Sequence, residues 1–170
     1  MPMKKIIPWI VCSIFVVFVF HPFFSFKEIT AGDFPYFYQE QLKEISFPPS
    51  SWINQRLGIP IISPWIDTYA SGVIGIFVNI LHVPWNVVQI IFFFLFAVIL
   101  SLFSSYYLFQ TLWKKGSLFS SLIYTCNTYF LLVLGGGQAG IFLAYSIAPL
   151  AFASFIKLVN YLISLPFNFK

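Results

Sequence analysis

The chain has 170 residues, 59% of them hydrophobic and 8% charged, with a net charge of +4 and a mean hydropathy of +0.88. A soluble domain carries about 25% charged residues, so this chain lacks the polar surface to stand in water. Its basic residues are scattered in runs no longer than two, which excludes a nucleic-acid-binding stripe. The expected class is an all-α polytopic membrane helix bundle, read as a single membrane domain over residues 1–170.

The first apolar run covers residues 6–26, "IIPWIVCSIFVVFVFHPFFSF", behind Lys4 and Lys5. At about 1.5 Å per residue it crosses a hydrocarbon core about 30 Å thick. It exceeds the apolar region of a signal peptide, and no small-x-small cleavage site follows it, so it is read as an uncleaved anchor. Pro22 is expected to kink the outer end or stop the helix there. Cys12, like Cys126 further on, falls in an apolar run and reads as a structural thiol. His21 and His82 have no Cys or acidic neighbour at ligand spacing and read as interfacial or packing residues.

Residues 27–84 form a long connection that holds all five acidic residues: Glu28, Asp33, Glu40, Glu44 and Asp67. Two interfacial helices are expected in it. After Asp33, the residues Phe34, Phe37, Tyr38, Leu42 and Ile45 share one helical face, and Gln39, Glu40, Lys43 and Glu44 the other. Asp33 suits the N-cap of that helix, with Pro35 in its first turn. The second segment, residues 71–83, sets Val73, Ile76, Phe77, Ile80 and Leu81 at helical spacing and ends at Pro84. It is too short to span comfortably and reads as interfacial or re-entrant.

Three more spans follow, over residues 85–113, 117–134 and 139–165. The Ser, Thr, Cys and Asn of 117–134 should face a neighbouring helix rather than lipid. Pro149 should kink the last span, and Lys157 should snorkel from it to the interface. The "GGGQ" turn, residues 135–138, has the glycines of a phosphate cradle but not the Lys and strand of a nucleotide loop. A tight helix connection is the simpler reading. Four spans put Lys4, Lys5, Lys114, Lys115 and Lys170 on one side, cytoplasmic by the positive-inside rule, and residues 27–84 outside.

Four stretches carry a resemblance: "AGDFPYFY", "LGIPIISPW", "YTCNTYFLL" and "GGGQAGIFLAYSIAPL". In their order and placement they resemble the N-terminal part of GT-C-fold polytopic membrane glycosyltransferases, of the arabinofuranosyltransferase-like and YfhO-like kind. The resemblance implies a polyprenyl-phosphate-linked sugar as donor and an extracytoplasmic acceptor. It implies that Asp33 serves as general base or helps to hold a divalent metal. A carboxylate at this place can take the proton of an attacking hydroxyl, close to a donor phosphate held at the interface. Arg56 and Lys27 are, by location, candidates to pair with the departing phosphate. A capping carboxylate is stabilised as the anion and is a weaker base, so the two roles of Asp33 compete. The chain departs from the family in having four spans rather than eight or more, and no acid adjoins Asp33. The expectation is therefore an N-terminal piece that works with a missing part or a companion membrane subunit. A non-catalytic membrane subunit, or a fragment of a lipid or solute transporter or flippase, is the alternative.

Overall fold

The computed structural model of the chain describes residues 6–25, 27 and 73–164. The described residues are helical and include four helices long and apolar enough to cross a membrane: Ile7–Phe24, Trp85–Leu112, Ser117–Gly135 and Ala139–Ser164. The expected helix over residues 34–45 lies outside the described residues.

Helix α1 is Ile7–Phe20, continued by a 3-10 turn at His21–Phe24. The change of helix type follows from Pro22. Proline has no N–H to donate to the carbonyl four residues back, which is that of Phe18. The His21 ring supplies the substitute, with Nδ1 2.8 Å from Phe18 O. The buried residues of α1 are Cys12, Val16 and Phe20, one every four residues. Its other sides carry exposed Ile10, Val11, Ile14, Phe15, Val17 and Phe18. A helix that is apolar all round and buries one narrow stripe suits the edge of a bundle that stands in a membrane.

Helix α2 is a short segment over residues 73–80 whose last turn, Ile76–Ile80, is a π-helix. It buries Ile74 and Val78, and Phe77 packs on Phe92 with ring centroids 4.8 Å apart. Of the residues set at helical spacing, Phe77 packs inward, while Val73, Ile80 and Leu81 stay on the outside.

Helix α3, Trp85–Leu112, is the centre of the bundle. It begins as α-helix, widens into a π segment at Ile90–Leu95, and resumes at Phe96. From Phe93 onward its buried residues come in adjacent pairs, Phe93 and Phe94, Ala97 and Val98, Ser101 and Leu102, Ser104 and Ser105. That gives a stripe two residues wide, enough to serve two neighbours. The small side chains Ala97, Ser101, Ser104 and Ser105 let other backbones come close. Ser101 Oγ lies 3.1 Å from Thr125 Oγ1 on the third span, and Ser104 Oγ donates to Ser146 O on the fourth. At about 1.5 Å per residue α3 is about 42 Å long, more than the roughly 30 Å of a hydrocarbon core.

The third span is two helices, α4 at Ser117–Thr125 and α5 at Thr128–Gly135. The expected continuous helix over 117–134 is broken at Cys126–Asn127. Ser117, Ser121 and Thr125 are buried, as expected of a polar face turned to a neighbouring helix, whereas Thr128 is exposed. The turn after α5 uses Gly137 at φ 68°. The N–H groups of Gly136, Gly137 and Gln138 donate back to Leu132 O, Leu134 O and Val133 O. These amides end the helix and are not turned outward to cradle an anion.

Helix α6, Ala139–Ser164, runs through Pro149 and buries Phe142, Ser146, Pro149 and Ala153 in one stripe. Phe20, Phe94, Phe130 and Phe142, all fully buried, form the centre of the core. Phe20 meets Phe130 edge-on at 5.9 Å, and Phe94 lies 6.4 Å from Phe142. Lys157 does not rely on snorkelling alone. Its Nζ donates to Tyr107 Oη and lies 4.2 Å from the centre of that ring.

Candidate functional site

Irregular backbone inside a bilayer must find its hydrogen bonds within the protein, so each break in a spanning helix marks a built feature. Two such breaks lie side by side. One is the gap between α4 and α5. The other is Pro149 in α6, whose missing N–H releases the carbonyl of Tyr145.

A single side-chain knot closes both. Tyr124 Oη donates to Tyr145 O at 2.9 Å, replacing the bond that Pro149 cannot make. In return Tyr145 Oη donates to Tyr124 O at 2.9 Å, a carbonyl near the C-terminus of α4. The two rings therefore lie antiparallel and stacked, 4.4 Å apart and 10° from coplanar. Asn127 completes the arrangement. Its extended backbone (φ −82°, ψ 159°) makes it the N-cap of α5, and its Oδ1 accepts the Phe130 N–H at 2.9 Å. Its Nδ2 contacts Tyr124 O and Tyr145 Oη. Phe130 also stacks on Tyr145, with ring centroids 5.2 Å apart, and ties the knot to the core.

Beside the break, a groove of about 540 Å³ opens between α1 and α4. Val11 and Phe15 form one wall; Phe119, Leu122, Ile123 and Cys126 form the other, with Asn127 and Thr128 at its end. The α4 residues recur at the spacing of one helix face, so the groove runs along the helix axis. It is an apolar trough with a polar end.

Of the residues singled out in the sequence, Asp33 and Arg56 lie outside the described residues. Lys27 is exposed, shortly after the 3-10 turn that extends α1. Among the described residues there is no acidic side chain, and no group of three His, Cys, Asp or Glu residues that could hold a metal ion. The knot was missed in the sequence because "YTCNTYF" sits within an apolar run long enough for one helix. Its signal was present: Asn127 followed by Thr128 is the chemistry of a helix start, placed where the helix should have continued. Compared with family models, with curated proteins and with solved structures, the chain matches none.

Proposed function

We propose that this chain forms the N-terminal membrane portion of a glycosyltransferase that moves a sugar from a polyprenyl-phosphate donor to an acceptor on the outer face of the cytoplasmic membrane. One observation supports the reading above the others. The run "YTCNTYFLL", which carries part of the resemblance, is where the third span breaks and is tied to α6 through Tyr124, Asn127 and Tyr145. Through these three residues the motif is an organised feature of the bundle. In this reading Asp33 takes the acceptor proton or holds a divalent metal, and Arg56 and Lys27 neutralise the departing phosphate. The lysine-bearing ends of the spans face the cytoplasm. In membranes that hold the protein with its companion parts, Asp33→Asn should lower sugar transfer from the polyprenyl donor by about 100-fold or more. Unchanged transfer at equal expression removes Asp33 from the reaction.

The broken span also favours a second reading, a lipid or solute transporter or flippase, because such proteins build their sites from discontinuous helices. Movement of a labelled lipid or solute across proteoliposomes, unaffected by Asp33→Asn and accompanied by no sugar transfer, would select it.

A further inference from the structure

We infer that the groove between α1 and α4 holds one hydrocarbon chain of a membrane lipid whose anionic headgroup is recognised by Lys114 and Lys115. The inference is independent of the glycosyltransferase reading. Two observations carry it. The first is the trough itself, of about 540 Å³, which falls within the roughly 300–1,000 Å³ of ligand pockets. Its α4 wall starts at Phe119, in the first turn of that helix, and follows Leu122, Ile123 and Cys126 up to the break. A hydrocarbon chain lying along it would run from one end of the span toward the middle.

The second observation is charge. The trough's α4 wall begins at Phe119, and the turn that joins α3 to α4, with Lys114 and Lys115, leads directly into it. That turn is shaped for display. Lys114 takes a left-handed conformation (φ 58°), and Gly116 follows at φ 74°. Gln110 Nε2 and Ser117 Oγ both donate to Lys114 O, pinning the turn from below. Both lysines are exposed, and no acidic residue among the described residues neutralises them. Exposed Trp113 adjoins them, as suits the headgroup level. An apolar trough ending at paired cations is complementary to a lipid that combines a chain with a phosphate, and not to a neutral lipid.

The test uses the full chain purified in mild detergent. Phosphatidylglycerol and phosphatidylcholine with identical chains are added in competition, and bound lipid is read by native mass spectrometry. The wild-type protein should retain one phosphatidylglycerol in preference to phosphatidylcholine. Lys114→Gln with Lys115→Gln should reduce that preference by about fivefold for each lysine lost. Ile123→Trp, at an exposed groove position, should lower occupancy by both lipids, whereas Phe155→Trp, exposed on α6, should not. Circular dichroism confirms that each variant keeps its helix content. Water-soluble glycerol phosphate should not displace the lipid, since it lacks the chain. Equal binding of the two lipids by wild type, an unchanged preference in the lysine variant, or full occupancy in the Ile123 variant would each overturn the inference.

Discussion

Asn127 does two jobs with one side chain, and they can be separated. Its oxygen caps α5 through the Phe130 N–H, while its nitrogen contacts Tyr124 O and Tyr145 Oη. Asn127→Ala removes both and should destabilise the protein by about 1–2 kcal/mol in reversible unfolding from mixed micelles. Asn127→Ser restores an N-cap oxygen but not the amide donor, so it should recover only part of that loss. Equal stability of the Ala and Ser variants would show that the cap contributes nothing. Single residues of this kind were only partly legible in the sequence. Asn127 was visible as a polar residue in an apolar run, but one of its partners, Tyr145 Oη, comes from a helix that begins 12 residues later and could not be read from spacing. Pro22 was legible because proline imposes its own consequence: the helix changes type at His21.

At the level of elements, the expected spans and the observed helices coincide closely in three of four cases. Long apolar runs leave a chain in a bilayer little choice but helix. The fine structure within them is less determined. The π segment at Ile90–Leu95 contains neither Gly nor Pro to announce it, and the sequence "IIFFFL" reads equally well as ordinary α-helix. The turn after α5 is different, since three consecutive glycines mark it plainly. Gly137 is the one whose backbone (φ 68°) disfavours a side chain. Gly137→Ala should cost roughly 1–2 kcal/mol of stability, read as a lower unfolding midpoint. No change in midpoint would mean that the turn can relax to another shape without loss.

On the scale of the whole molecule, the sequence indicated an apolar helical bundle because composition and run length act over many residues at once. The candidate site was less legible. The acidic residues that suggested chemistry all lie in the connection between the first two expected spans, while the organised polar contacts lie within the bundle. The two sets belong to different regions of the chain. The proposed orientation makes a separate prediction: a reporter fused after Lys115 should read as inside, and one fused after Gly136 as outside. Both on one side would contradict four crossings. The central claim is more specific: side chains substitute for backbone hydrogen bonds that the helices give up, and they do so pairwise across helices. It is tested most directly by a double-mutant cycle between Tyr124 and Pro149. Tyr124→Phe alone should cost about 1–2 kcal/mol, because the Tyr145 carbonyl loses its donor. In a Pro149→Ala background the restored N–H can reach that carbonyl, and the same Tyr124→Phe change should cost less than half as much. An equal cost in both backgrounds would contradict the account.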